Sequence, residues 1–488
     1  MDFDLEQPAA VAGNAAAAVA PQSAGWGDLF SGKHGIYTFA LAGGVTLHAI
    51  NIYIATTAMP SVVADIGGLD FYAWATTLFV VASILGSALT AKLLNGSGPR
   101  GAYVLATSIF ALGALTCAIA PSMPVMLVGR AIQGLGGGFL FALAYALTRI
   151  VLPEQLWARA IGLVSAMFGI ATLVGPAIGG IFAEYGAWRL AFSSLLPFSV
   201  VFAMLAYITL PRKSWDSNER VAVPYLQLTL LTAAVLAVSA GSLSSGMAWN
   251  LTGLGAGVAI IVLIAGVEAR AEARLLPRRA FNVSTPLGAL YLTIALLMLA
   301  IQPEIFVPYL LQNLHAQSPL WAGYLAAIMS IGWSLASFLS SRWQTHGDRL
   351  IVLGPVLVLT GLLLFALFMP INGAGDWSLL LPIGFGLLLV GFGIGVTWPG
   401  LVTRIFQNAP PTEQDLAAGG MTTVQLFFMA FGTACAGMVA NFAGIADPGG
   451  TDGAANAAAW LGVIFAIAPA LCVLVAFRVV RLTGGRRG

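Results

Sequence analysis

Three polar side chains sit where a wholly apolar chain would not put them. His48 and Asn51 lie in the run VTLHAINIYIATTAMP (45–60), and Glu304 lies in IQPEIF (301–306). His48 and Asn51 are three residues apart, so on a helix they share a face. Polar groups at membrane depth are costly unless they face protein, water or each other, and they mark substrate and proton paths. An imidazole titrates near ~6.5, so His48 can take up and release a proton around neutral pH. Glu304 is the acidic residue placed well inside an apolar run, beside Pro303, which should loosen the helix there. A carboxyl in a low-dielectric cleft can be neutral on one side of a transport cycle and ionised on the other. Plainer roles compete with these. Glu304 could sit near an outer mouth, held by water or backbone donors, and His48 could be bonded to a carbonyl or to Asn51.

The elements that must position these groups are membrane helices. Of the 488 residues, 59% are hydrophobic and 8% charged, against about 25% charged in soluble domains. Several apolar runs are long enough to cross a bilayer at about 1.5 Å per residue. The net charge of +2 gives no reason to expect nucleic acid. Fourteen spans are expected, at roughly 36–58, 71–93, 101–120, 123–148, 158–183, 188–210, 225–243, 250–268, 286–311, 320–341, 350–370, 378–403, 416–443 and 457–480. Residues 1–35 read as a flexible cytoplasmic tail without the basic region of a cleaved signal, and 483–488 as a basic cytoplasmic tail. Cys117, Cys435 and Cys472 each lie in an apolar run, which predicts packing and neither a disulfide framework nor a metal site.

Charge sets the expected orientation. With the N-terminus inside, every Lys and Arg except Arg130, within a span, and Arg189, on the outer side, falls in a cytoplasmic segment. The chain also repeats internally. Pro60, Trp74 in WATTL and GPR (98–100) are followed in the second half, at similar spacing, by Pro308, Trp321 in WAGYL and GDR (347–349). A glycine-dense helix follows in each half, GRAIQGLGGG (129–138) and GFGIGVTWPG (391–400). The expectation is an all-α membrane protein with two six-helix bundles, 36–210 and 285–482, and a 211–284 linker holding two extra helices. Paired repeats of this kind place a substrate site at their interface near the midplane. The insert helices have little polarity and read as a spacer or lipid contact. EARAEARLLPRR after them reads as a partly helical, basic surface segment touching anionic headgroups.

With these residues on the page, the chain resembles the major facilitator superfamily, in particular its fourteen-span drug:H+ antiporter (multidrug exporter) branch. The resemblance covers nearly everything after residue 35. VGRAIQGLGGG, GIATLVGPAIGG (169–180), WRLAFSSLLP (188–197) and FVPYLLQNLHAQSPLWAG (306–323) carry it. It implies the major facilitator fold and export of an amphipathic, drug-like or lipid-like molecule by alternating access. Such a protein is a proton-coupled monomer in a bacterial cytoplasmic (inner) membrane, with both termini cytoplasmic and no cofactor. Its partners are the substrate, protons and membrane lipids.

Within the resemblance, the family's arginine in span four, implicated in proton transfer, falls on Arg130. Burying that charge costs roughly 2.5–3.5 kcal/mol on an insertion scale, so it should face inward and bond to carbonyls or Gln133. A helix–helix clamp is its plainer role. In GIATLVGPAIGG, Pro176 removes a helix hydrogen bond. Gly175 and Gly179 bare one face for a close neighbour, with Gly180 following. The helix suits rocking, or simply tight packing. KLLNGSGPRG (92–101) holds the place of the family's loop between spans two and three. Asn95 replaces its aspartate, while Gly98 and Arg100 remain, and Gln344 stands at the matching place in the second half. Both latches thus lose an ionic contribution. Counting back nine residues from Pro60 puts Asn51 where this branch normally has an aspartate. An amide cannot titrate, so Glu304 and His48 are left to carry a proton. Tyr53, Gln133, Tyr145, Tyr309, Gln312, Trp398 and Gln425 join Asn51 as candidate cavity groups, each also readable as packing.

Two other readings keep some of these observations. A facilitator or importer of a specific metabolite would explain the missing carboxylates. A receptor or scaffold without turnover has no soluble signalling domain to support it. HExxH, a Walker loop and GxSxG do not occur, and GLGGG lies in a helical membrane pattern without a preceding strand, which argues against an enzyme and a nucleotide site.

Overall fold

The computed structural model describes residues 25–212, 223–244, 246–340 and 347–484 and is all-helical over them. Gln344 and most of the two tails lie outside the described residues. The helices are α1 (Trp26–Leu29), α2 (Gly32–Ile66), α3 (Tyr72–Ala118), α4 (Met123–Val151), α5 (Glu154–Glu184), α6 (Trp188–Ser193), α7 (Leu195–Thr209) and α8 (Tyr225–Gly241). They continue as α9 (Met247–Arg270), α10 (Pro286–Ala300), α11 (Val307–Leu314), α12 (Pro319–Ser340), α13 (Gly347–Phe368), α14 (Trp377–Asn408), α15 (Gln414–Phe442) and α16 (Gly450–Gly484).

Among the described residues, 12 helical segments are long and apolar enough to cross a membrane, against the fourteen expected. The difference has two sources. Leu69–Ala118 is a single 50-residue segment, and Tyr225–Gly241 is a shorter apolar helix. The long segment is nevertheless interrupted. Gly98 has φ 66° and ψ 172°, a backbone open to glycine but not to L side chains, and Pro99 follows.

The legs on either side of Gly98 run in opposite directions along α4. On the first leg, Ser83 donates to Gly134 O over 3.0 Å and Ser87 to Gly138 O over 3.0 Å, so leg and helix advance together. On the second, a Cβ at Gly129 would strike Cys117, one at Gly113 would strike Gln133, and one at Gly136 would strike Phe110, so the order is reversed. The glycine-dense stretch of α4 thus touches both legs backbone to backbone.

The second glycine-dense helix repeats this arrangement. Cβ atoms at Gly391 and Gly395 would meet Met329 O and Trp333 O of α12, while Gly393 and Gly386 press on Gly354 and Gly361 of α13. Ser337 donates to Gly395 O over 3.3 Å, as the serines of α3 do to α4. The repeat read from the sequence therefore extends to which backbone meets which.

The connection after α9 differs from expectation. The helix ends at Arg270, and residues 271–285 form a chain of turns in place of a surface helix. The cause is local: Glu268, 4% exposed, turns its carboxylate back to accept Leu275 N at 2.5 Å and Leu276 N at 2.8 Å. Large apolar side chains such as Val262, Ile208 and Leu474 are exposed on the outside of the bundle, as a lipid-facing surface requires.

Candidate functional site

The polar residues singled out above fall into two groups. The first surrounds Phe79. The Arg130 guanidinium carbon lies 4.2 Å from the Phe79 ring centre, a cation–π contact. Its Nε donates to Ala75 O over 3.3 Å and its Nη1 to Gln133 Oε1 over 2.7 Å. The His48 ring stacks on Phe79 at 5.4 Å and touches Phe141 at 5.8 Å. A Cβ on Gly137 would approach His48 Nδ1 to 2.5 Å, so that glycine makes room for the imidazole. Asn51 is wholly buried. Both its amide atoms, His48 Nδ1 and Gln133 Nε2 lack a hydrogen-bond partner among the described residues. Each such group costs about 1–3 kcal/mol if left unsatisfied.

The second group lies between α2 and α5 on one side and α10 to α12 on the other. Tyr53 Oη donates to Ser330 Oγ over 3.1 Å. Tyr324 Oη donates to Leu173 O over 3.2 Å, and Leu320 N to Glu184 Oε1 over 3.3 Å. With Asn441 Nδ2 donating to Asp70 O over 2.9 Å, these are the hydrogen bonds joining residues up to 210 with those beyond 285 among the described residues. They lie midway along the helices or at the end holding Glu184, Tyr72 and Pro319. At that same end Tyr72 stacks on Phe306 at 5.0 Å and meets Tyr309 edge-on at 5.7 Å. Among the described residues no hydrogen bond of this kind lies toward the opposite ends, where residues 161–170 of α5 expose Ile161 and Ile170.

Glu304 stands in this second group. The helix expected across IQPEIF is replaced at Gln302–Phe306 by a 3-10 turn between α10 and α11, the loosening anticipated from Pro303. Interruptions of this kind mark functional hinges in helices. Gln302 anchors the turn, donating to Met298 O at 2.6 Å and accepting from Thr433 Oγ1 at 2.9 Å. Glu304 is half-buried, its carboxylate has no hydrogen-bond partner among the described residues, and it lies within electrostatic range of Tyr53. No hydrogen bond among the described residues joins it to His48 or Asn51; His48 turns toward α3 and α4, on Phe79, Phe141 and Gly137.

The glycines of α5 divide their work. Gly175 and Gly179 admit α2, where Cβ atoms would strike Tyr53 and Ile54. Gly180 admits Leu320 of α12, and a Cβ on Gly323 of α12 would reach Thr57 and come within 3.2 Å of Pro176. Arg100 packs at 5.1 Å over Tyr207 and donates to Leu210 O at 3.0 Å, tying the second leg of α3 to the end of α7. In the second half, Asp348 pairs with Arg404, whose Nη1 reaches Thr483 Oγ1 of α16 at 2.6 Å. Asn95 is exposed on α3, three residues before Gly98. Tyr145 meets Phe141 at 5.3 Å, and Trp398 meets Trp333 at 5.7 Å. Gln312 keeps an unpartnered, buried Nε2, and Gln425 is half-buried on α15.

Phe79, Phe141 and Ser330 were missed in the sequence, where nothing separates them from lipid-facing or packing residues. No three His, Cys, Asp or Glu side chains among the described residues are placed to hold a metal.

A multi-pass helical membrane protein with paired, glycine-fused helix triplets and polar groups between them is built as a transporter and not as an enzyme. Residues 41–303 match the model of the Major Facilitator Superfamily. The chain is 36% identical over 440 residues to a probable multidrug-efflux transporter of Mycobacterium tuberculosis (strain ATCC 25618 / H37Rv), spanning 87% of this chain and 91% of that one. It is 24% identical over 427 residues to Multidrug resistance protein 3 of Bacillus subtilis (strain 168), spanning 84% and 81%. Among solved structures it is similar in fold to a D-xylose–proton symporter (TM-score 0.63, 14% identity, 91% and 98% covered). A POT family transporter in complex with a thioalcohol-conjugated peptide is similar too (TM-score 0.65, 13% identity, 91% and 96% covered). The chain belongs to the major facilitator superfamily, and as a transporter it acts on a small molecule.

Proposed function

We propose that this chain is a secondary active multidrug exporter that moves amphipathic or lipophilic molecules by alternating access. The observation that carries this is its identity of 36%, along nearly its whole length, with a transporter named for multidrug efflux. In this reading the two antiparallel legs of α3 and the short α8 each cross the membrane, which brings the spans to fourteen. The 36–210 and 285–482 bundles rock against one another, and 211–284 is an insert. The monomer sits in a bacterial inner membrane with its basic loops and both termini in the cytoplasm. The cleft is then closed at its outer end by the α5–α12 and Tyr72–Tyr309 contacts and open toward the cytoplasm.

Export is driven by protons entering through Glu304, at the hinge between α10 and α11. The His48–Arg130–Gln133 group around Phe79 responds to substrate or proton from inside the first bundle. One proton falling through 100 mV supplies about 2.3 kcal/mol, so one or two support a useful gradient. The test is drug efflux from proteoliposomes under an imposed pH gradient. Glu304→Gln should abolish gradient-driven accumulation while leaving substrate exchange in place. A variant with unchanged gradient dependence removes Glu304 from the mechanism. Asn51, which holds an amide where the antiporter pattern has a carboxylate, favours a facilitator as the second reading. Transport indifferent to the gradient in the unmodified protein would select it.

A further inference from the structure

The turns after α9 build an amphipathic crevice apart from the central cleft. Its inner part is an apolar cavity of about 210 Å³ between the insert and the second bundle. Ile264 of α9, Tyr291 and Leu292 of α10, and Val424 and Phe427 of α15 line it. Its mouth runs into a wider, polar recess edged by Arg274, Arg278 and Arg279. Glu268, Leu276, Phe281 and Val283 belong to both spaces, so the two adjoin.

The crevice is a built feature. The buried Glu268 carboxylate accepts the backbone N–H groups of Leu275 and Leu276, and Gln227 Nε2 of α8 donates to it at 3.4 Å and to Ala273 O at 2.8 Å. Its charge is thereby occupied by donors of the protein, and the turn is pinned to both insert helices. Arg278 is engaged by Glu413. Arg274 uses its Nε on Ala271 O and leaves its two terminal nitrogens without a bond among the described residues. Arg279 is exposed with no side-chain partner among them, and its backbone is held in the left-handed region at φ 70°. The resulting order is two available guanidiniums at the rim of an apolar slot, at a helix end where a membrane helix meets its polar boundary.

We propose that this crevice binds an anionic phospholipid, with the phosphate on Arg274 and Arg279 and an acyl chain in the cavity between α9, α10 and α15. A guanidinium fork matches phosphate geometry, and the slot offers the chain an apolar lining. The lipid joins the two insert helices to the second bundle, which gives the insert a purpose that its own sparse polarity does not reveal. The inference needs only the membrane placement of the chain and stands whichever molecule is exported.

The experiment is native mass spectrometry and thermal-shift titration of the full-length protein in detergent, with dioleoyl phosphatidylglycerol, dioleoyl phosphatidylcholine and inorganic phosphate as separate probes. Phosphatidylglycerol should bind and stabilise, phosphatidylcholine should do so far less, and phosphate alone should not displace the bound lipid. Arg274→Gln with Arg279→Gln should weaken phosphatidylglycerol binding roughly thirtyfold, since each charge near a lipid surface contributes a factor of about five. Leu292→Trp, which fills the slot and leaves the arginines, should weaken it independently while drug efflux measured in phosphatidylcholine vesicles keeps its rate. Equal binding of the two lipids, or binding unaffected by either substitution, overturns the assignment. Full competition by phosphate would make the recess a free-phosphate site and overturn it too.

Discussion

Tyr53 of α2 and Ser330 of α12 share a hydrogen bond of 3.1 Å midway along the interface between the early and late helices. Five residues earlier on α2, His48 turns instead into the first bundle, against Phe79 and Phe141. Tyr53 is thus a contact that must break if α12 moves away from α2. Tyr53→Phe removes about 1 kcal/mol of interaction, roughly fivefold in the equilibrium between the closed and open forms of this interface. Spin-label distances between the end of α5 at Glu184 and the start of α12 at Pro319 should shift toward the longer population.

Gly180 has no space for a side chain against Leu320, whereas nothing lies within 4 Å of a Cβ on Gly169 one helical stretch away. Gly180→Val should therefore force α5 and α12 apart beside Leu320, and Gly169→Ala should be silent. The measurement is labelling of a cysteine at Thr57 by an impermeant maleimide from outside. It should quicken in the first variant and stay slow in the second.

Arg130 holds Gln133, Ala75 O and the Phe79 ring at once. Hydrogen bonds to a charged group contribute about 1.5–3 kcal/mol each. Arg130→Ala should lower the melting temperature clearly. Arg130→Lys, which keeps the charge and loses the fork, should restore part of the stability and none of the two-handed geometry. Comparing efflux with melting in the two variants separates a structural clamp from a role in transport.

His315 closes the turn after α11, its Nε2 lying 3.1 Å from Met369 O and its Nδ1 unpartnered among the described residues. Burial holds its pKa below the ordinary value of 6.5, with the Met369 carbonyl partly opposing. Below that ordinary value the unfolded chain takes up a proton that the folded turn refuses, so stability is full above it and falls as pH drops. Melting temperature should decline from pH 7 to pH 5, and His315→Gln should flatten that decline.

How much of this was legible beforehand depended on whether one side chain or a whole surface set the outcome. The paired glycine-dense helices could be read because most of their glycines stand where backbones touch, and the repeat in sequence became a repeat in contacts. Pro303 and Gly98 announced their breaks through covalent geometry alone. The surface helix after α9 could not be excluded in advance, because the carboxylate that unwinds it, Glu268, looks in the sequence like one more charge in a polar connector. Phe79 was invisible for the opposite reason: the ring that gathers His48 and Arg130 is one of 27 phenylalanines. The division of α2 into two working faces followed from helix periodicity, yet which neighbour met each face had to come from the packing.

The backbone contacts of α4 with both legs of α3, and of α14 with α12 and α13, leave no side-chain layer to shear. Each triplet behaves as one casting. A transport stroke must then be taken up at joints outside the castings, at the 3-10 turn by Glu304 and at the seam where α2 and α5 meet α12. Mutations that stiffen those joints should slow turnover without touching any bound molecule.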